Sequence, residues 1–259
     1  MKFDDLDVKM RVFETASDLC VTPSLYMVAR LDGRSFTKLT KVIHKFEAPF
    51  DTRFRDLMVE TTEYLMRDCG FNVLYGYTES DEISLLFAFE ENSFGRKLRK
   101  LISILAGEAS AKFSMAIGSV AAFDCRISQL PSVDLVVDYF RWRSEDAHRN
   151  ALNSYCYWML RKQGDSVGKA TSTLRGMPVT DKNELLFKLG INFNDTPLWQ
   201  RRGTGLYWEE YNRVAKDPTT GEEVLAIRRR VYHNYELPMK DAYSQFIRNL
   251  VGFKPNVTS

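Results

Sequence analysis

Apolar positions change their spacing along the chain, and each change predicts an element. The run Met27–Leu31, MVARL, is short and apolar and predicts a buried strand, broken by Asp32-Gly33. Over residues 50–67, Phe50, Phe54, Leu57, Met58, Thr61 and Leu65 recur at steps of three and four, which predicts an amphipathic helix. Gly70 stops it. FNVLYGY and EISLLFAF are two β-rich runs flanking Thr78-Glu79-Ser80-Asp81, a hairpin signal. Residues 93–117 predict a second long helix, with Phe94, Leu98, Leu101, Ile102 and Leu105 on one face.

Two further strands are expected around SVAAFDCRI and DLVVDYF, with Pro131 between them. A third helix is expected from an N-cap at Ser144 to about Lys162, ended by Gly164. Thr180–Glu184 has capping-box character and predicts a short helix. Trp199–Tyr207, with Gly203-Thr204-Gly205, reads as a loop entering a strand, and residues 216–222, KDPTTGE, as a tight turn between strands. Strand, helix, hairpin, helix and strand in this order predict an α+β fold, with helices packed on a mostly antiparallel sheet. No repeat and no obvious linker appears, so the C-terminal part is expected to pack on the first.

Composition is that of an ordinary globular chain. Of 259 residues, 44% are hydrophobic, 13% aromatic and 27% charged, which excludes a disordered tail. The 36 Lys and Arg nearly cancel the 34 Asp and Glu. So small an excess does not by itself imply nucleic acid, though it permits a local basic patch. Cys20, Cys69, Cys125 and Cys156 form no CxxC pair and read as buried free thiols. The first residues, MKFDDLDVKM, lack the apolar core of a signal peptide. No apolar run approaches the roughly 20 residues of a membrane span. A cytoplasmic protein with no membrane partner is expected.

Three features could carry chemistry. Asp32 ends the first strand and Asp81 lies in the following hairpin. In a β-α-β-β unit these strands share a sheet, so the two carboxylates can face each other. Two hard carboxylates with the Gly33 carbonyl suit Mg²⁺, and two ions about 4 Å apart could clamp a phosphoryl transfer. Each feature alone is also a common turn dipeptide. The second feature is Arg96, Lys97, Arg99 and Lys100, in a stretch (94–112) with five Lys or Arg against one acid. They could reach a triphosphate or RNA backbone, or only cover apolar neighbours with their stems. The third is Trp142–Asn150, in which His148 and Asn150 could contact RNA or act structurally. No GxxxxGK[ST] or GxGxxG occurs, and no His/Cys cluster suggests zinc.

ARLDGRSF, GYTESDEISLLF, FDCRISQLPS, DYFRWRSEDAHRNAL, DKNELLF and RRGTGLYW occur in this order over about residues 27–210. Together they resemble the tRNA-His guanylyltransferase family. The resemblance implies a polymerase-palm-like core at 6–135 with a C-terminal region at 138–250. It implies addition of nucleotides to the 5′ end of tRNA with Mg²⁺ and nucleoside triphosphates. By position, Asp32 and Asp81 match the metal-binding carboxylates, and Gly33 the glycine whose carbonyl completes one metal site. Asp32, Gly33, Arg34, Ser35, Phe36 and Thr37, with Ser80 and Asp81, match nucleotide-binding segments. Lys97 and Lys100 fall where the family places triphosphate-binding residues. His148, Asn150 and Lys182 fall in segments used for tRNA contact or fold support, and Glu82 is an acidic neighbour whose role stays open.

Two departures point to one branch of the family. His148-Arg149-Asn150-Ala151 replaces the His-Ile-Asn-Asn string of eukaryotic members, and the family lysine after the first motif is replaced near Ala48. Both resemble the bacterial and archaeal branch, associated with template-dependent repair of 5′-truncated tRNA. The implied mechanism is ATP-dependent activation of a 5′-monophosphate, then attack by the 3′-hydroxyl of an incoming GTP or other triphosphate. Strict tRNA-His guanosine addition is the alternative within the family. A nucleotide cyclase or a non-catalytic tRNA-binding protein are the alternatives outside it. An elongated tRNA contacts more surface than one such subunit offers, so a homo-oligomer such as a tetramer is expected.

Overall fold

Strand β1 (Tyr26–Gly33) lies one strand in from the edge of the sheet that organises the molecule. In the computed structural model, which describes residues 2–216 and 222–252, this sheet has six strands. The others are β2 (Val73–Glu79), β3 (Glu82–Phe87), β4 (Phe123–Leu130), β5 (Thr204–Lys216) and β6 (Glu223–Asn234). Their order is β4-β1-β3-β2-β5-β6, and every neighbouring pair is antiparallel. Helix α1 (Phe3–Thr15) precedes β1, and a short α2 (Phe36–Lys38) follows it and runs into a π-helical turn over Leu39–Ile43. Helix α3 (Thr52–Arg67) then connects β1 to β2, and α4 (Leu98–Ile117) connects β3 to β4. The first four strands and these two helices make a β-α-β-β-α-β unit. This is the α+β antiparallel architecture that the sequence predicts.

Alternation along β1 sends Met27, Ala29 and Leu31 to the face covered by α3 and α4. Val28 points the other way, toward α5 (Val133–Lys162) and α9 (Lys240–Gly252). Arg30 and Asp32 follow Val28 by the same period of two. Each face therefore has its own buried core. A third core lies between α5 and the short helices α6 (Val167–Leu174) and α7 (Val179–Lys188). Helix α8 (Leu198–Arg202) leads into β5. The C-terminal strands extend the same sheet, which is why no linker is visible in the sequence.

Several local expectations change. DLVVDYF is helix, not strand. Ser132 accepts the Leu135 N–H at 3.3 Å as an N-cap. Val136, Val137 and Phe140 are buried at helical spacing. The β-branched pair misleads because burial, not propensity, decides here. Ser144 is therefore mid-helix and buried rather than a cap. The helix expected over 93–117 begins at Leu98, because Phe94, Gly95 and Arg96 all have positive φ. Helix α7 starts after Pro178, so Thr180 is not its cap, and α8 replaces part of the loop expected at 199–207. The turn expected at 216–222 falls largely on residues 217–221, outside the described residues. All four thiols are free, but only Cys156 is buried.

Asp51 anchors the start of α3. It accepts the Arg53 N–H at 2.8 Å and the Glu47 N–H at 2.7 Å, and pairs with the Arg53 guanidinium. Arg53 holds its carboxyl well below the usual range. Asp51→Ala is expected to lower stability by about 2 kcal/mol, read as a fall in the midpoint of urea unfolding. A loss near zero would show that the cap does not hold α3.

Candidate active site

The C-terminal end of β1 and the β2–β3 hairpin meet at one edge of the sheet. The hairpin loop is Ser80-Asp81, with Ser80 in the left-handed region at φ 52°. The Gly33 N–H donates to the Asp81 carbonyl at 2.9 Å, which ties the end of β1 directly to this loop. A Cβ on Gly33 would stand 2.5 Å from the Phe36 ring, so only glycine lets the chain turn over Phe36 here.

Asp32 and Asp81 both line a cavity of about 500 Å³, with Glu79, Ser80, Glu82, Phe36 and Thr37. Burial pushes the Asp81 carboxyl up, and the charge of Asp32 adds to it. Its one side-chain partner among the described residues is the Ser80 hydroxyl, which donates to it at 3.2 Å. Asp32 is paired with Arg30 at 3.3 Å and with Arg126 at 3.3 Å. Arg126 lies on β4 in register with Arg30, so both guanidiniums flank Asp32 on the same face.

Glu82 takes a different part. Its carboxylate accepts two hydrogen bonds from Arg143 of α5, at 2.6 and 2.7 Å, and both side chains are almost fully buried. Arg143 also donates to Asp146 at 3.2 Å. This pair fixes α5 over the end of β3. Glu79 is half-buried with no hydrogen bond or ion pair of its own among the described residues. Burial, reinforced by Glu82 and Asp81, pushes its carboxyl up to about 8. That shift favours its protonated form beside the two aspartates.

The donor set fits a hard cation. Asp32, Asp81 and the Gly33 carbonyl offer oxygen only, the chemistry of Mg²⁺. Asp81 is half-buried, and among the described residues no cation pairs with it. Among the described residues no three His, Cys, Asp or Glu side chains form a metal cluster. Such a site would thus use two carboxylates completed by the main chain and water.

The predicted residues separate. Phe36 is 2% exposed, packed against Phe54, Phe113 and Phe123, with the ring at the cavity wall. Arg34 and Ser35 are exposed and lie outside the cavity lining. Lys97 and Lys100 are not at this edge. The backbone of Lys97 bridges Cys20, and its ammonium pairs with Asp18 at 3.1 Å. Lys100 lies over Phe94. Both sit beside the residues that precede β1, so about 20 Å of strand separates them from Asp32. The expectation that they neutralise a triphosphate held at Asp32 and Asp81 fails within one chain. Spacing in sequence does not say at which end of a sheet a helix begins. Arg96 is buried and donates to the Thr22 and Leu25 carbonyls, a structural duty.

Asn150 lines the cavity and donates to Asp146 at 3.2 Å. His148 does not line it. The ring packs edge-on against Phe193, and burial, with Arg201 and Arg202 nearby, lowers its pKa. Lys182 lies on α7, where its carbonyl accepts the Cys156 thiol at 3.4 Å. Sequence reasoning missed Glu79, the Glu82–Arg143 pair, and the far wall formed by Lys41, Arg55, Trp158 and Trp199. Arg143 lies inside the DYFRWRSEDAHRNAL string, which was its one signal.

A family model described as tRNAHis guanylyltransferase matches residues 7–131. A second, described as the Thg1 C terminal domain, matches residues 134–241. The chain is 32% identical over 222 residues to the tRNA(His) guanylyltransferase of Schizosaccharomyces pombe, covering 79% of this chain and 84% of that one. It is 33% identical over 198 residues to that of Neurospora crassa, covering 71% and 67%. A bacterial tRNA(His) guanylyltransferase-like protein solved in complex with GTP superposes with a TM-score of 0.74 at 26% identity, covering 96% of this chain and all of that one. A structure of the same description with ATP gives 0.73.

Proposed function

Because the chain belongs to the tRNA-His guanylyltransferase family, whose activity is 3′-5′ nucleotide addition at the 5′ end of tRNA, we propose that it extends 5′-truncated tRNA by template-dependent repair. The observation that carries the site is the edge where Gly33 and Asp81 are hydrogen-bonded and both aspartates line one cavity. Choice of repair over strict guanosine addition rests on His148-Arg149-Asn150-Ala151 and Ala48, where eukaryotic members differ. We keep the division into a catalytic part at 6–135 and a C-terminal region at 138–250 packed on it.

Asp32, Asp81 and the Gly33 carbonyl would hold Mg²⁺, which lowers the pKa of an attacking hydroxyl and shields charge on the leaving group. The 5′-monophosphate first attacks the α-phosphorus of ATP. The bond to pyrophosphate breaks and an adenylylated 5′ end remains. The 3′-hydroxyl of the incoming triphosphate, GTP or another chosen by pairing with the opposite strand, then attacks the 5′-phosphate and AMP leaves. Within this scheme Ser80 and Thr37 contact nucleotide at the edge, and Asn150 contacts substrate in the cavity. His148 and Lys182 hold α5 against its short helices. Lys97 and Lys100 take no part within one chain.

We read the protein as self-associating. Phe3, Leu6, Met10 and Phe13 lie at steps of three and four on α1, all exposed, and no α1 residue is buried. Four free thiols fit a reducing compartment such as the cytoplasm. No helix among the described residues is long and apolar enough to cross a membrane.

The deciding assay gives the protein Mg²⁺, labelled triphosphates and a tRNA lacking its first nucleotide, beside full-length tRNA-His. Template-matched addition to the truncated tRNA is expected. Addition of a single guanosine to tRNA-His alone would replace repair with the strict activity.

A further inference from the structure

The cavity has a second wall that the chemistry at Asp32 and Asp81 does not use. It is built by Thr40 and Lys41 from the π-helical turn, Arg55 from α3, Asn150, Asn153, Ser154 and Trp158 from α5, and Trp199 from α8. Of its two cations, Arg55 is already satisfied. It pairs with Asp56 at 2.7 Å and is stacked between Trp199 and Tyr235, at 4.8 and 4.7 Å from their ring centres.

Lys41 is not. Its ammonium donates to the Glu47 carbonyl at 2.8 Å and lies 5.8 Å over the Trp158 ring. No carboxylate among the described residues comes within ion-pair distance of it. The acids that face it are Glu47 and Asp51, and both act only at a distance. Asp51 has its oxygens committed to Arg53 and the Glu47 N–H. Burial lowers the pKa of Lys41, the cost of a half-buried cation without an anion. Asn153 and Ser154 add uncharged polar groups on the same wall. A π-helical turn is rare and is enriched at functional sites. This one carries Lys41 into the cavity wall.

We propose that Lys41 is a substrate-binding residue that takes a phosphate oxyanion in the far half of the cavity, with Trp158 holding its ammonium in place. The phosphate comes from one of the two substrates of the proposed reaction, the polyphosphate of a nucleoside triphosphate or the 5′ backbone of tRNA. The inference rests on that reaction for its ligand. A charge-assisted hydrogen bond to phosphate supplies its strength.

The test compares wild type, Lys41→Met and Lys41→Arg. Methionine keeps the apolar stem on Trp158, and unfolding midpoints check that the turn survives. Binding of ATP with Mg²⁺, and separately of truncated tRNA, is measured without turnover. Lys41→Met is expected to weaken one of them by about tenfold, with Lys41→Arg retaining most of the affinity. A loss with ATP assigns the triphosphate, and a loss with tRNA alone assigns its 5′ phosphate. Wild-type affinity of folded Lys41→Met for both overturns the proposal. Activity keeps the two readings apart. If wild type adds no nucleotide but Lys41→Met still loses affinity, the repair reading fails and the Lys41 site stands. If wild type adds nucleotides and Lys41→Met matches it throughout, the Lys41 site fails alone.

Discussion

Asp81→Ala is expected to lower nucleotide addition at the tRNA 5′ end by about a thousandfold or more while leaving the fold intact. Asp81 is a half-buried anion beside Asp32, and its carboxyl is pushed up by that burial. Its one side-chain partner among the described residues is a neutral hydroxyl. Removing it therefore relieves an unfavourable charge in the absence of a cation, and the unfolding midpoint should stay level or rise slightly. Loss of a structural group would move it the other way. Wild type should gain thermal stability from Mg²⁺ with a nucleoside triphosphate, and Asp81→Ala should gain much less, by mass action. Asp32→Ala should abolish turnover equally but cost some stability. It leaves Arg30 and Arg126 facing each other without the carboxylate between them. Near-normal turnover by either variant would remove that aspartate from the site.

The second large effect concerns stability. Arg143→Ala should destabilise the protein by about 3–5 kcal/mol, because it strands the buried Glu82 carboxylate without its two hydrogen bonds. For a chain of this size that is a fall in melting temperature of about 10 °C. The double variant Arg143→Met with Glu82→Gln should recover most of it, since breaking such a pair costs more than replacing it. Activity should remain low in the double variant, because α5 is then no longer aligned over the sheet edge. A single variant within about 1 kcal/mol of wild type would show that water or Asp146 replaces the lost partner, and the pair would lose its assigned role.

The β-α-β-β-α-β order was legible because each element announces itself locally. Phe54, Leu57, Met58 and Leu65 keep helical spacing, and a two-residue hairpin loop separates two β-rich runs. The exchange of strand for helix at DLVVDYF has a physical cause. Over seven residues, Val136, Val137 and Phe140 fit a buried strand nearly as well as a helix. Only the cap at Ser132 and continuation to Lys162 decide between them.

Site residues divide the same way. Asp32 and Asp81 were legible as a pair because adjacent strands of one sheet bring a strand end and a hairpin loop together. Lys97 looked equivalent but lies at the other end of β1, where Asp18 pairs with it. Lys41 carried no signal, since in sequence it is one of three lysines, with Lys38 and Lys45, and resembles any solvated one.

Taken alone, the sequence determined which elements form, that they make an antiparallel α+β sheet, and that two carboxylates end up at one edge of it. Those outcomes depend on periodicity, caps and turns, which act over a few residues. Only the tertiary structure decided which charges are paired and which are not. Glu82 is neutralised by Arg143 from 61 residues away, while among the described residues Asp81 has no cation, and Lys41 no carboxylate, within ion-pair distance. The reason is that solvation and Coulomb energies depend on distances through space and on burial, and neither quantity is written in local order along the chain.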